Sequence, residues 1–226
     1  MEVERKICQR SSPTTCEDWI NGNCPKGEEC PNLHWWLNTN NNFHHDKRDN
    51  SSFKRLVCWI PPPKGFVKIN CDGAYTWDGK KAAAGGVIRD SQGEFLFAFS
   101  SVLRVDSAAE AELFAIKLGM EIGISMGYKN LIVESDSLTA IQLINRRVIH
   151  QRHPFYALVS SIMEMGANAD YITWNHAFRV TNSVADGLAK YGLSLSSKSP
   201  VILFKFPPNF LLLSLCADKI GTMYYC

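Results

Sequence analysis

Hydrophobic and polar positions between residues 66 and 195 follow two periods, one typical of strands and one typical of helices. In FVKINCD, residues 66–72, Val67, Ile69 and Cys71 share one face of a strand, and Lys68, Asn70 and Asp72 share the other. A carboxylate at the end of a hydrophobic strand costs desolvation energy unless a positive group meets it. The simplest positive partner for a cluster of such carboxylates is a divalent metal.

The same patterns predict an α/β fold. Two further strands, 83–89 and 94–100, are joined by a tight turn and form an antiparallel meander with the first. Helices are predicted over 108–126, 138–145, 154–166 and 182–195, and strands over 130–134 and 170–174. The order βββαβααβα predicts a mixed five-stranded sheet flanked by helices, with the meander followed by two parallel strands.

Acidic residues lie at predicted strand ends, where an α/β sheet binds ligands, and on two of the predicted helices. Asp72 ends the first strand, and Asp136 follows the fourth strand at its carboxyl end, the edge at which open α/β sheets bind ligands. Glu110 and Glu112 lie at opposite margins of the buried face of the first helix, and periodicity does not choose between them. Asp186 lies on the last helix. Any one of these acids, taken singly, is more often a solvated surface residue.

Residues 8–37 carry a separate signal, in which Cys16, Cys24, Cys30 and His34 have the spacing C-x7-C-x5-C-x3-H. Three thiolates and one imidazole make a closed tetrahedral zinc site, which can hold a short segment that has almost no core. The alternative is a set of unconnected free cysteines. The spacing predicts a small zinc-stabilised module.

This module resembles a CCCH-type zinc finger, a family whose members often bind single-stranded RNA by stacking bases on aromatic side chains. Lys26 and Asn32 stand where RNA-binding members commonly carry aromatic residues. RNA binding, contact with a protein partner and a purely structural role therefore all remain open for this finger.

Composition divides the rest of the chain. Residues 38–63 are rich in Asn, His and charge and then in proline, which predicts a flexible linker. Residues 64–196 form the α/β domain, and residues 197–226 form a tail that we expect to pack back on a domain face or to meet a protein partner. The tail's apolar stretch is interrupted by Lys205 and two prolines, so no membrane span is predicted.

Charge and cysteine usage narrow the class of protein. The formal charge is +2, with thirteen basic and thirteen acidic residues between 64 and 195, so any nucleic-acid binding must come from local sites. The charged N-terminal residues do not resemble a signal peptide, and the scattered cysteines are typical of a reducing compartment. An intracellular protein of the nucleus or cytoplasm is expected.

Residues 66–195 resemble the type 1 ribonuclease H (RNase H) domain, in the single-domain form common in plants and related to retroelement ribonuclease H. The matching segments occur in the family's order and are KINCDGA (68–74), AAAGGVIRDSQGEF (82–95), AEAELFAIKLGMEI (109–122), VESDS (133–137) and H-x2-R-x2-N-x2-AD-x-LAK (176–190). The family motif A-E-L assigns the catalytic glutamate to Glu112 and leaves Glu110 as its neighbour.

The resemblance implies that Asp72, Glu112, Asp136 and Asp186 bind two magnesium or manganese ions. It implies that Asp72 bridges both ions, that Asp186 completes the site on the nucleophile side, and that Glu112 and Asp136 hold the other ion. His176 matches the histidine that assists proton transfer and product release. Many plant members have lost the last acid, whereas this sequence keeps Asp186.

The resemblance also implies nucleic-acid-binding positions. Gly73 is a candidate backbone contact to 2′-hydroxyl groups, Arg179 a phosphate contact, and Asn182 a residue that shapes the loop before the last helix. Larger members carry an inserted basic helix that this sequence lacks. The loop that begins with Arg146 and Arg147 is either a small substitute for it or a charged helix end.

The implied function is that of a metal-dependent endonuclease that cuts the RNA strand of RNA–DNA hybrids by a two-metal-ion mechanism. The alternative is a module that binds RNA or protein and has a vestigial nuclease domain. The implied partners are an RNA–DNA hybrid or RNA, together with a protein that binds the zinc finger or the tail.

Overall fold

The computed structural model describes residues 56–78, 80–146, 149–196 and 201–226. The strands are β1 (Leu56–Val57), β2 (Val67–Tyr75), β3 (Ala82–Arg89), β4 (Phe95–Leu103), β5 (Asn130–Ser135), β6 (Tyr171–His176), β7 (Val201–Phe204) and β8 (Tyr224–Tyr225). The helices are α1 (Ala108–Ser125), α2 (Leu138–Asn145), α3 (Tyr156–Gly166), α4 (Ser183–Ser194) and α5 (Leu212–Lys219). The predicted zinc ligands Cys16, Cys24, Cys30 and His34 lie outside the described residues, as does Arg147.

The main sheet has six strands in the order β6-β5-β2-β3-β4-β7. Strands β2, β3 and β4 form an antiparallel meander, and β5 and β6 run parallel to β2. The prediction of five strands is wrong by one, because β7 from the predicted tail pairs antiparallel with β4. An unpaired edge of β4 would leave a row of backbone hydrogen-bonding groups open, and β7 satisfies them.

Helix α1 covers one face of the sheet. Its side chains Leu113, Ile116 and Met120 are fully buried and pack against the apolar residues of β2, including Ile69 and Cys71. Apolar burial contributes about 25 cal/mol per Å², so this layer stabilises the fold. The alternation predicted for β2 therefore delivers its apolar side chains to the core.

The opposite face of the sheet is also covered. Helix α4 lies on β3 so closely that a Cβ atom at Gly85 would stand 2.1 Å from the backbone nitrogen of Ala189. Val87 of β3 and Leu188 of α4 are buried in a second apolar cluster together with Leu211, which precedes α5. The polar side of the meander therefore packs against helices and is not a solvated surface.

A buried polar network fills the rest of this second face. Arg89 pairs with Asp218 of α5 at 2.6 Å, and its guanidinium lies 3.6 Å from the centre of the Trp59 ring. Asn70 accepts hydrogen bonds from the Trp59 indole at 2.9 Å and from Arg89 at 2.8 Å. Part of the predicted linker and part of the predicted tail are therefore anchored to the sheet. Within the part of the chain that the structure describes, none of the helices has the length and hydrophobicity that a bilayer span requires.

Candidate active site

Three carboxylates meet at one edge of the sheet. Asp72 lies on β2, Glu112 on α1 and Asp136 directly after β5, and one oxygen from each lies within 4.8 Å of the others. The cause is the parallel pairing of β2 with β5, which sets Cys71 opposite Ser135. Strand β5 ends at Ser135 while β2 continues to Tyr75, so the residues after this pair, Asp72 still within β2 and Asp136 just beyond β5, become neighbours.

Glu112 reaches this point because α1 crosses β2 at a glycine. A Cβ atom at Gly73 would stand 2.3 Å from the backbone nitrogen of Glu112, so any larger residue would push the helix away. The Gly73 N–H donates to Glu112 Oε2 at 3.1 Å, and the Ser135 hydroxyl donates to the same oxygen at 3.2 Å. These two donors hold the carboxylate towards Asp72 and Asp136.

Glu110 has a different place. Its Oε2 accepts from the backbone N–H of Asp106 at 3.0 Å, while its own N–H donates to the Ser107 hydroxyl at 3.2 Å. The Ser107 hydroxyl is the N-cap of α1, and the Glu110 carboxylate binds the N–H of the residue before that cap, an arrangement close to a capping box. The structure thus separates the two glutamates that helix periodicity left open, since one caps the helix and the other joins the acidic cluster.

Burial and mutual repulsion change the acidity of this cluster. Desolvation raises the pKa of Asp72 to about 8, with further increases from Glu112, Asp136 and Asp186. Desolvation and the charge of Asp136 raise the pKa of Glu112 to about 7, against the opposing effects of the Gly73 and Ser135 hydrogen bonds and of Arg179. Both carboxyl groups are costly to ionise together unless a cation lies between them.

The residues present fit a divalent cation. Hard cations prefer carboxylate oxygens, and three such oxygens converge here within the described part of the chain. The buried Asn182 side chain lies beside them, and its Oδ1 atom has no hydrogen-bond partner among the residues that the structure describes. A cation would neutralise the repulsion that raises the pKa of Asp72.

Asp186 stands apart from the other three acids. It is close enough to contribute to the raised pKa of Asp72, but it is not one of the three carboxylates that converge. Its Oδ2 atom pairs with Lys190 at 2.5 Å, and its Oδ1 atom lies 3.9 Å from Arg179. The positively charged side chains of Lys190 and Arg179 therefore bind the fourth acid, beside the three carboxylates that converge.

His176 and Asn182 both contact the segment that carries Asp136. The exposed His176 ring places Nε2 at 3.2 Å from the Asp136 carbonyl oxygen. Asn182 is 1% exposed and donates through Nδ2 to the Cys71 carbonyl at 2.9 Å and to Asp136 Oδ1 at 3.4 Å. Asn182 was expected among the nucleic-acid-binding residues. Its burial instead makes it an internal brace that joins β2 to Asp136.

The remaining residues that were predicted to contact nucleic acid lie at different distances from the acidic cluster. Gly73 is half-buried beside Glu112, and Arg179 is exposed beside Asp186. Arg146 is exposed at the far end of the eight-residue helix α2, about 12 Å along the axis from the Asp136 end. The structure does not bring Arg146 to the acidic cluster.

Two residues of the site lacked an assigned role in the sequence. Ser135 holds Glu112, and Lys190 pairs with Asp186. Both lie inside the motifs VESDS and LAK, one residue before Asp136 and four residues after Asp186. The i,i+4 spacing on a helix was the available signal for Lys190, whereas the Ser135 contact crosses between distant elements and had no local signal.

Comparison with known proteins places this fold. The family model described as "Reverse transcriptase-like" matches residues 70–192, more than half of the chain. A curated Arabidopsis thaliana relative named "Putative ribonuclease H protein" is 32% identical over 143 residues, which is 63% of this chain and 23% of that protein. The chain thus spans less than a quarter of that relative's length.

Solved structures share the architecture. RNase H1 of the halophilic archaeon Halobacterium salinarum is 21% identical with a TM-score of 0.54, over 57% of this chain and 98% of that one. LC11-RNase H1 in complex with an RNA/DNA hybrid is 19% identical with a TM-score of 0.52, over 57% and 96%. These likenesses confirm the predicted α/β fold, an RNase H-like mixed sheet flanked by helices. The chain belongs to the reverse transcriptase-like family and carries an RNase H-like domain.

Proposed function

We propose that this protein is a metal-dependent endonuclease that hydrolyses the RNA strand of RNA–DNA hybrids with two magnesium or manganese ions. The observation that carries the proposal is the convergence of Asp72, Glu112 and Asp136 at the edge of an RNase H-like sheet. Support comes from the ribonuclease H name of the Arabidopsis relative and from the hybrid bound by LC11-RNase H1.

The chain's own residues would act as follows. Asp72, Glu112 and Asp136 would hold the ions, with Asp186 completing the site from α4. Ions bound there would activate a water and neutralise the leaving oxygen. Ser135 and the Gly73 N–H keep Glu112 oriented, which lowers the cost of assembling the site. Exposed His176, beside Asp136, can exchange a proton between the leaving group and solvent.

The test is cleavage of an end-labelled RNA–DNA hybrid in magnesium or manganese by matched glutamate variants. Glu112→Gln removes a carboxylate of the cluster, while Glu110→Gln removes one that caps the same helix. We expect Glu112→Gln to lower the rate about a thousandfold, since charge stabilisation worth several kcal/mol is lost. Glu110→Gln should stay within about threefold of the unaltered chain, because a lost cap affects mainly stability.

The second candidate is a nucleic-acid-binding module without turnover. The pairing of Asp186 with Lys190 and Arg179 favours it, because the fourth acid is already neutralised by protein cations. Tight binding of the hybrid with no cleavage in either metal, from a folded sample, would support this candidate over the nuclease. Cleavage that Asp72→Asn does not reduce would instead point to a contaminating enzyme.

We also propose a zinc-binding module at Cys16, Cys24, Cys30 and His34, on the sequence spacing alone. The expected zinc content is about one ion per chain by plasma emission spectroscopy, because one tetrahedral site takes one ion. Cys24→Ser should lower this content to near zero, whereas Cys216→Ser, an exposed cysteine far along the chain, should leave it unchanged. Equal zinc contents in the two variants would refute the site.

A further inference from the structure

We propose that a basic stripe made of Arg179, Lys190, Lys81 and Lys80 binds the sugar–phosphate backbone of a nucleic-acid strand beside the acidic cluster. The inference rests on the proposed nuclease function. It names the surface that would bind the substrate in place of the basic helix that larger members carry and this sequence lacks. The stripe starts at Arg179, near Asp186, and continues along α4 to the hairpin between β2 and β3.

The stripe is continuous because of helix geometry. Asp186, Lys190 and Leu193 are spaced i, i+4 and i+7 and therefore lie on one face of α4. Lys81 belongs to the hairpin, yet its Nζ atom donates to the Leu193 carbonyl at 3.4 Å, so the hairpin continues the line where α4 ends. From Asp186 to Leu193 the helix rises about 10 Å, which matches roughly three nucleotide steps of 3.4 Å along a strand.

The cations of this stripe are available to a ligand. The side chains of Arg179 and Lys80 are each 79% exposed, and that of Lys190 is 64% exposed. Their protein partners are the exposed carboxylate Asp78 and the partly buried Asp186. Solvent-exposed ion pairs contribute little to stability, so these side chains can turn from a carboxylate to a phosphate at small cost.

The other side of the acidic cluster has the opposite charge. The start of α1 carries the carboxylates of exposed Asp106 and half-buried Glu110, and exposed Arg104 in the segment before it offsets one of these two charges. Glu110 accepts from the Asp106 N–H, and the Tyr75 hydroxyl donates to the Asp106 carbonyl. A phosphate backbone is repelled there and attracted along α4. The difference between the two sides assigns the strand to the α4 side.

The test measures binding separately from cleavage. The full chain carrying Asp136→Asn, which cannot cut under the proposed mechanism, is titrated onto a fluorescein-labelled 16-base-pair RNA–DNA hybrid, and anisotropy is followed from about 50 to 250 mM NaCl. Single-stranded RNA and duplex DNA of the same sequence are measured in parallel. The stripe variant adds Lys81→Gln and Lys190→Gln.

A control variant with the same charge change is available. Lys117 forms an i,i+4 pair with Glu121 on α1, as Lys190 does with Asp186 on α4. Lys129 donates to the Asn168 carbonyl at 3.3 Å, as Lys81 does to Leu193. Replacing Lys117 and Lys129 by glutamine removes the same two charges from contacts of the same kind outside the stripe.

We expect the stripe variant to reduce the slope of log Kobs against log salt for the hybrid by about two, and affinity at the lowest salt by roughly tenfold or more. The control should change the slope by less than about half a unit. Equal slope changes in the two variants, or no hybrid binding at 50 mM salt, would overturn the stripe. A change confined to single-stranded RNA would also overturn it.

Failure of the stripe and failure of the proposed nuclease have different signatures. If the unaltered chain cuts the hybrid and only the slope result is negative, the nuclease stands and the strand lies elsewhere. If the slope result is positive but no metal supports cutting, the stripe remains a nucleic-acid-binding surface of a protein without turnover. Circular dichroism of each variant shows that the fold is retained.

Discussion

At the scale of single residues, the fold holds the carboxylates of the acidic cluster close together despite their burial and mutual repulsion. Asp72 has a pKa of about 8 and Glu112 a pKa of about 7, in both cases chiefly because burial removes water from the carboxylate. A site of this kind is costly to the metal-free fold and favourable to a bound cation, as is common where function and stability conflict.

The raised pKa values predict how stability depends on pH. The folded chain binds protons at Asp72 and Glu112 more tightly than the unfolded chain, so the free energy of unfolding falls as pH rises from about 4 towards 8. Asp72→Asn removes one of these charges. Without divalent metal, it should raise the free energy of unfolding by roughly 1–3 kcal/mol at pH 8 and have little effect near pH 4.

Urea unfolding in a chelating buffer at both pH values checks this expectation. Glu121→Gln, which neutralises a half-exposed acid on the same helix as Glu112, is the control and should show no such difference between the two pH values. Added magnesium should stabilise the unaltered chain at pH 8 more than Asp72→Asn, because the ion binds only the folded site. If the unaltered chain is as stable at pH 8 as Asp72→Asn, ionising the buried Asp72 carboxylate beside its acidic neighbours does not destabilise the fold, and the expectation is wrong.

At the scale of elements, α5 is attached to the sheet by two ion pairs of different character. Asp218 pairs with Arg89 of β3, and each side chain is 1% exposed. The next residue, Lys219, pairs with Glu94 near the start of β4, and both side chains are about half exposed. Burial raises the pKa of Asp218, with Arg89 acting against this, so the interior pair depends on both partners being present.

Adjacent substitutions on α5 should therefore have unequal effects. Asp218→Ala leaves the Arg89 guanidinium buried without its carboxylate and should lower the free energy of unfolding by about 3–5 kcal/mol. Lys219→Ala should cost no more than about 1 kcal/mol, since its pair with Glu94 is exposed to solvent. Chemical denaturation of both variants provides the comparison, and a cost below 1 kcal/mol for Asp218→Ala would refute the role of the buried pair.

At the scale of the whole molecule, the segments on either side of the family match complete the fold. Strand β7 covers the edge of β4, the two residues of β1 pair with β8, and Trp59 and Asp218 close the second face over Arg89. The family match spans residues 70–192, so β1, β7, β8, Trp59 and Asp218 lie outside it. The domain that unfolds as one unit should be larger than the matched segment.

Truncation tests this extent. A chain ending at residue 196 loses β7, the Leu211 contact with the second apolar cluster and the Arg89–Asp218 pair. We expect it to lose at least about 3 kcal/mol of stability or to be insoluble. A chain ending at residue 221 loses the β1–β8 pairing and the hydrogen bond from the Thr222 N–H to the Ala217 carbonyl. It should stay within about 1–2 kcal/mol, because a two-residue ladder and one turn hydrogen bond contribute little. Equal stabilities of the two truncations would show that the tail is dispensable.

The sequence by itself determined the elements of the central domain and their type. Helix α2 was predicted with the observed bounds, 138–145, and the strands of the meander within three residues, because hydrophobic period and turn chemistry are local properties. The family resemblance selected Asp72, Glu112 and Asp136, and the structure brings all three together. Periodicity alone could not choose Glu112 over Glu110, since it reports burial and not the partner of a side chain.

Tertiary structure alone decided the features that depend on contacts across distant segments. Strand β7 is only four residues long and needs the open edge of β4, more than 90 residues earlier, to define it as a strand. The sequence offered Asn182 as a residue that shapes the loop before the last helix and contacts nucleic acid, whereas packing buries it between β2 and Asp136. Local sequence specifies which face of an element is apolar. The three-dimensional packing specifies which residue it meets, because that choice is made by elements far apart in the chain.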